Sequence, residues 1–458
     1  MRRGGRMRHV LVVGNGPAAH RLVERLRERG FAGWITVLGA EPRPAYNRAL
    51  LGSVLDGTVR AAELELPELN ADVRLGVEAT RIDRRMRRVH TSSGTEFSYD
   101  ELVLATGARP STPDVPGLRG RAVTTLRGPL DCARVARLRS HVVVLGGGVL
   151  GVETACSLLR RGVRTTLVHA RPWLMERHLD AVAGRLLAER LEALGVRTVL
   201  GRAAAGFGDG GLVLDDGTHV STGGVIVCTG IRPNIELAEP GGVAARRGIL
   251  VDDRMRTSDP HVHAIGDCAE HDGVTAGRLG PAWDQAEALA GQLTGTDARY
   301  GGGASIVRLR TRHIDLAALN TAMPSDNTDV ITLTDGDGAR YARLAVRDDR
   351  VVEANIVGLP RAISNLTQLH RRDLPLPRER FHLLLGETPP SGAGPTEVPG
   401  NALVCRCNNV TRQTLLQACR RGARDVDSLA RMTRVTTGCG ACVDDVRRIC
   451  AQEGVAPT

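Results

Sequence analysis

Two stretches far apart in the chain share one pattern: an unbroken apolar run, a glycine-rich break, then a helical run. In the first, Val10 to Val13 lead into Gly14, Asn15, Gly16, Pro17, Ala18 and Ala19, and Leu22, Val23 and Leu26 then share a helix face before a second apolar run, Trp34 to Leu38. In the second, His141 to Leu145 precede Gly146, Gly147, Gly148, Val149, Leu150 and Gly151, a helix carrying Glu153, and a strand from Arg164 to Val168. Short unbroken apolar runs suit strands covered on both faces, so each stretch predicts a βαβ unit of a parallel sheet. Further apolar strands end at Thr106 and Gly107, at Gly230, and at Gly266 and Asp267. From Gly301 to Gly386 the pattern changes to alternation, which predicts strands with hairpin turns such as Asp335 to Gly338, followed by two helical runs. Glu387 to Asn401 is rich in proline and glycine and has no period, as expected of a linker. Beyond it, Thr411 and Asp425 each start a short amphipathic helix. Asp444 and Asp445 open a third, with Arg447 and Arg448 later in it, as the helix dipole prefers.

These elements predict an α/β chain with two Rossmann-like dinucleotide-binding domains, one opening at 7–112 and one at 113–243. A small α+β third domain at 301–386, a linker at 387–401 and a small helical domain at 402–456 complete it. A length of 458 residues agrees, being too great for one core and enough for about three or four domains.

Each glycine of the first break has a physical task. Gly14 permits the sharp turn out of the strand, Gly16 removes a side chain that would block a pyrophosphate, and Ala19 keeps the helix close to the sheet. The phosphates then meet free backbone N–H groups around Pro17 and Ala18 at the helix N-terminus. Glu41, just past the second strand, is placed to accept from a ribose hydroxyl. Glycine-rich turns also serve packing, which is the alternative for this loop taken alone. The second loop, with Gly146, Gly148, Val149 and Gly151 and with Glu153 on its helix, carries the full G-x-G-x-x-G pattern between strand and helix. Where such a site usually carries an acid, the chain has His169 and then Arg171, which leans towards the 2′-phosphate of NADPH. Arg171 as a strand cap is the alternative.

Net charge is +10, yet every basic residue is Arg and these are scattered among acids. That suits a solvated surface for acidic partners, and no basic patch interleaved with aromatics points to nucleic acid. No apolar run approaches the roughly 20 residues of a membrane helix. Arg2 and Arg3 ahead of Val10 superficially suggest a twin-Arg export signal, but the short apolar run belongs to the first βαβ unit. A cytoplasmic protein is expected, with translation starting at Met1 or Met7. Cys132, Cys156, Cys228 and Cys268 are scattered as in a reduced intracellular protein.

The remaining cysteines are patterned. Cys405 and Cys407 form C-x-C, and thirty-one residues later Cys439 and Cys442 form C-x-x-C. Four thiolates from two tight loops fit either a [2Fe-2S] cluster or a structural Zn²⁺. Gly438 and Gly440 let backbone N–H groups turn towards sulfur, which tunes a cluster and is less needed by closed zinc. Cys419 and Cys450 fall on apolar helix faces as core residues.

Three segments, Gly14 to Ala19, Glu101 to Pro110 (ELVLATGARP) and His263 to Asp267 (HAIGD), together resemble the flavin-binding half of the pyridine nucleotide-dependent flavoprotein reductases. The resemblance implies FAD on the first loop, Asp267 beside Gly266 at its ribityl and phosphate region, Thr106 and Gly107 lining the flavin, and NADH or NADPH on the second loop. EPRPAYNRALLGSVL resembles a flavin-side stretch of the assimilatory nitrite reductase large subunit, with Tyr46, Asn47 and Arg48. Read from residues alone it is a turn and a helix start with Tyr46 in the core. Relatives that work through a redox cysteine carry it here, and this chain has none, so cysteine chemistry at the flavin is not expected. CTGIRPN, holding Gly230, resembles the family's hinge back to the flavin domain, which implies that 244–300 completes the domain begun at 7–112. Pro281, Trp283 and Gln285 open a helix that approaches the flavin in that family, or else Trp283 is a core aromatic. VCRCNNVT and TTGCGAC resemble the bacterioferritin-associated ferredoxin-like domain, which implies the cluster rather than zinc.

Nearly the whole chain thus resembles the front part of assimilatory nitrite reductase, and a chain without the sirohaem half, unable to reduce nitrite that way itself, is expected. The resemblance implies an electron-transfer subunit taking hydride from NAD(P)H and feeding a partner, a molybdenum nitrate reductase or a nitrite reductase, with no side-chain acid or base. The family's third domain often packs between domains or subunits, which leaves room for a homo-oligomer. Two rivals stay open: a subunit of an amine or opine dehydrogenase, and a non-catalytic redox sensor.

Overall fold

Val10 to Val13 are buried because they form the middle strand of a five-stranded parallel sheet, in the order Val262–Ala264, Glu101–Leu104, His9–Val13, Trp34–Gly39, Asp72–Leu75. The computed structural model describes residues 7–452 apart from 139, 303–305, 310, 312, 320–327, 336–339, 372–373, 378–379, 386–399, 401–402, 406–407, 409 and 437–441. On one face of this sheet, Leu22, Val23 and Leu26 of helix Pro17–Glu28 share a core with Ala286, Leu289 and Leu293 of helix Leu279–Leu293. On the other, Leu11, Leu102, Leu104 and Val262 pack against Ile82, Val89 and Ile249. The strand order reverses at His9–Val13, whose sequence successor lies on one side and Glu101–Leu104 on the other. A parallel sheet opens its binding crevice at the carboxyl ends of such strands.

The opposite end of the sheet is pinned by charge. Glu101 accepts from His263 Nε2 at 2.9 Å and from Arg8. Burial alone would raise its carboxyl, but the hydrogen bonds from His263 and Arg8 outweigh that and hold it at about 2, below the ordinary 4.5. Because the folded value is depressed, this stabilisation is complete above about pH 4.5 and disappears as pH falls towards 2. Glu101→Gln is therefore expected to destabilise the protein at neutral pH by on the order of 2 kcal/mol and to flatten its loss of stability on acidification. Thermal unfolding from pH 7 to 3 checks this, and parallel curves for parent and variant would refute it.

A second five-stranded parallel sheet runs Arg197–Leu200, Thr165–His169, Val142–Leu145, Gly224–Val227, Val123–Thr125. Helix Val149–Arg160 follows its middle strand. The alternating region forms an antiparallel sheet ordered Ile306–Arg308, Leu316–Leu319, Arg350–Val357, Tyr341–Arg347, Asp329–Thr334. Helix Pro360–Arg371 covers it through Ile363 and Leu366. Tyr341 donates to Asp180 at 2.7 Å, and the Asp180 N–H donates to Asn355 at 3.1 Å, which ties this sheet to the start of helix Ala181–Ala193. In the terminal part, Thr411 and Asp425 cap helices Arg412–Arg420 and Val426–Thr433, accepting from the N–H groups of Thr414 and Ser428. Of the Asp335 to Gly338 turn all but Asp335, and nearly all of the linker, lie outside the described residues.

Contacts divide the chain into two compact units, Met1–Arg48 with Val59–Ser111 and Gly230–Gly303, and Ala49–Thr58 with Thr112–Thr229 and Ala304–Thr458. Residues 230–243, assigned by sequence to the second domain, cluster with the first because Ile231–Pro233 pairs antiparallel with Ala108–Pro110. Residues 49–58 cluster with the second, where Asp56 pairs with Arg160 at 2.8 Å and the Leu51 carbonyl accepts from Cys132. Among the described residues no helix is long and apolar enough to cross a membrane.

Candidate functional site

The first glycine loop separates two kinds of glycine. Gly14 has φ +114°, and a Cβ there would run into the backbone of Ala105 and Thr106, so the fold itself requires it. Gly16 has an ordinary φ of −105°, and a Cβ there would meet nothing within 4 Å. Neither backbone nor packing asks for glycine at 16, and the space beside it is open. It lies at the N-terminus of helix Pro17–Glu28, whose cap makes no side-chain hydrogen bond, so the orphan N–H donors face outward with the positive end of the dipole.

Around this loop the structure gathers distant segments. A Cβ at Gly266 would touch Ala18 at 3.1 Å, which sets the Gly266–Cys268 turn, and Asp267 within it, beside the loop. Gln285, buried, accepts from the Gly266 N–H at 2.7 Å. Asn234 fixes Thr106 and Gly107: its Nδ2 donates to the Thr106 carbonyl, its N–H to the Gly107 carbonyl, and its own carbonyl accepts from Thr106 Oγ1, each at 2.9 Å. In the sequence Gln285 stands only as part of the helix that the resemblance brings to the flavin, and Asn234 only as the end of CTGIRPN; neither shows its role, since each acts through a contact that no local spacing displays. Glu41 accepts from Tyr46 at 3.0 Å and from Arg48, whose guanidinium also stacks 4.5 Å from the Tyr46 ring. Burial pushes the Tyr46 hydroxyl up, so it stays a donor. The Glu41 carboxylate is thus held in place, and its partial exposure leaves lone pairs for a ligand hydroxyl. Trp283 is buried, with Arg21 5.9 Å from its ring centroid.

The second loop repeats the division. Gly146 has φ +112° and would strike Cys228, and Gly151 would strike the Gly146 carbonyl. Gly148, at φ −75°, again would meet nothing within 4 Å, and it caps helix Val149–Arg160 with no side-chain bond. Glu153 is buried on that helix. Gly230, at φ +119°, lies in the first unit and accepts from the Ser111 N–H at 2.9 Å. His169 is buried at the end of its strand, and Arg171 is exposed.

Cys405 and Cys442 are both buried in the core of the terminal domain, with Leu415, Leu429 and Val446. Two of the four expected ligands therefore share one apolar cluster, while Cys407 and Cys439 lie outside the described residues, as do Gly438 and Gly440. Asn408 ties the segment after Cys405 to the end of helix Val426–Thr433 by donating to the Arg434 carbonyl at 2.6 Å. Cys450 is core, and Cys419 packs against the same cluster. Elsewhere, burial pushes the Cys132 and Cys228 thiols up to about 12, so they stay protonated and unreactive.

The family model described as pyridine nucleotide-disulphide oxidoreductase matches residues 8–288, and that described as BFD-like [2Fe-2S] binding domain matches residues 403–452. The chain is 30% identical, over 96% of its length, to the nitrite reductase [NAD(P)H] of Bacillus subtilis, and 29% identical, again over 96%, to that organism's assimilatory nitrate reductase electron transfer subunit. It spans 57% and 59% of those two proteins. Among solved structures, the covalent putidaredoxin reductase–putidaredoxin complex aligns with a TM-score of 0.73 and 26% identity over 80% of this chain and 94% of that one.

Proposed function

Since the chain belongs to the pyridine nucleotide-disulphide oxidoreductase family, we propose that it is an NAD(P)H-dependent flavoprotein that passes electrons through a terminal [2Fe-2S] domain to a partner reductase. The observation that carries this is the pair Gly16 and Gly148, two helix N-termini kept clear of side chains where the fold does not demand it. FAD fits the first loop, with Glu41, Thr106, Gly107 and Asp267 around it. The nicotinamide coenzyme fits Gly146 to Gly151, and Cys405 and Cys442, with Cys407 and Cys439, are a fitting thiolate set for the cluster. When bound, the flavin supplies the exchange between a two-electron hydride and single electrons. The chain's own residues bind and orient: backbone N–H groups take phosphate, Gln285 and Asn234 hold the two strand-end turns, and no side-chain acid or base is assigned. The named relatives support a nitrate or nitrite reductase as the partner, and a net charge of +10 suits an acidic docking face on it. A cytoplasmic location belongs to the same reading.

The test is anaerobic addition of NADH, NADPH or a secondary amine to the FAD-loaded protein. Bleaching of the flavin by a nicotinamide coenzyme is expected. Bleaching by the amine alone would make the protein a C–N dehydrogenase subunit, and no bleaching by any of them would leave a redox sensor.

A further inference from the structure

In a dinucleotide fold the second strand ends beside the coenzyme's adenosine ribose, and an acid there accepts from the 2′-hydroxyl. This chain has His169 at that strand end, yet an acid reaches it by another route. After Arg171 the chain folds back on the glycine loop, with the Met175 N–H donating to the Gly147 carbonyl at 2.9 Å. Leu174 and Met175 are buried, and Met175 sits at φ +54°, a left-handed conformation that a residue with a side chain keeps only when its surroundings enforce it. That turn delivers Glu176, whose Oε2 lies 3.0 Å from His169 Nε2. The other ring nitrogen, Nδ1, accepts from the Gly147 N–H at 3.1 Å, so the imidazole proton resides on Nε2 and is donated to Glu176. His169 is spent on both sides and offers no cation to a phosphate, while the Glu176 side chain remains 25% exposed.

Resting on the reading of Gly146 to Gly151 as the coenzyme loop, we propose that Glu176, oriented by His169, reads the coenzyme's 2′ position, accepting from a hydroxyl and repelling a phosphate. The site then selects NADH, against the lean that His169 and Arg171 suggest in the sequence. Exposed Arg171 is the competing determinant.

Calorimetric titration of the full chain with NAD⁺ and with NADP⁺ tests this without turnover. The parent should bind NAD⁺ about tenfold or more tightly than NADP⁺, and Glu176→Gln should bring the two within about threefold, chiefly by gaining affinity for NADP⁺. His169→Ala, which frees the carboxylate to swing, should narrow the same ratio, a change that loss of packing alone would not produce. Arg171→Ala should leave it unchanged. Equal binding by the parent, or an unchanged ratio in Glu176→Gln, overturns the role of Glu176. A parent that binds neither coenzyme overturns the loop assignment itself, and this inference with it.

Discussion

Gly16→Val is expected to give a protein that folds normally and has lost its flavin. A valine at 16 meets no protein atom near its Cβ and needs no unusual backbone angle, so the fold should register little. Its methyl groups would instead occupy the space where a pyrophosphate must approach the helix N-terminus, and flavin affinity should fall by about 100-fold or more. Gly14→Ala makes the opposite change. At φ +114°, with the backbone of Ala105 in the way, even one methyl forces the strand end apart, and a loss of about 2–4 kcal/mol is expected. Bound-flavin absorbance and thermal unfolding, measured on both variants, separate the two. A yellow Gly16→Val protein of parental stability would mean that the open space at this loop is incidental.

Cys442→Ser should divide the electron path in two. Hydride transfer needs only the coenzyme and flavin sites, so reduction of a small dye that accepts directly from flavin should stay within about twofold of the parent. A serine hydroxyl replaces a thiolate poorly as an iron ligand, so delivery to a protein acceptor should fall by about 100-fold or more. Cys405→Ser should behave alike, since both thiols are buried in the one cluster. Because that cluster of Leu415, Leu429 and Val446 is a core of its own, its failure need not unfold the dinucleotide-binding sheets. A structural zinc site predicts zinc on metal analysis and a stability loss alone. Partner reduction that survives in the variant would make the flavin itself the exit.

What the sequence displayed was whatever is local. The apolar runs at Val10 and Val142 named the middle strands of both sheets, and Thr411 and Asp425 marked their helices because a cap acts within three residues. The strand ends at Thr106, Gly107 and Asp267 were legible as glycine or acid after an apolar run. What holds them was not: Gln285 reaches Gly266, and Asn234 reaches Thr106, across long stretches of sequence. The stretch that resembles a flavin-side segment runs on past Arg48 without a break in the sequence, whereas Asp56 and Leu51 find their partners at Arg160 and Cys132. Glu176 was hidden for a related reason. It stands seven residues beyond the expected position and is carried back by a left-handed turn at Met175 that periodicity cannot announce.

The most direct measurement is an anaerobic titration of the full chain, loaded with FAD and iron–sulfide, with NADH, following flavin absorbance and paramagnetic resonance together. The parent is predicted to bleach and to develop the signal of a reduced [2Fe-2S] cluster, and Cys442→Ser to bleach with no signal. Zinc in place of iron with no signal in the parent, or a flavin that NADH leaves oxidised, would contradict an electron path from nicotinamide to the terminal domain.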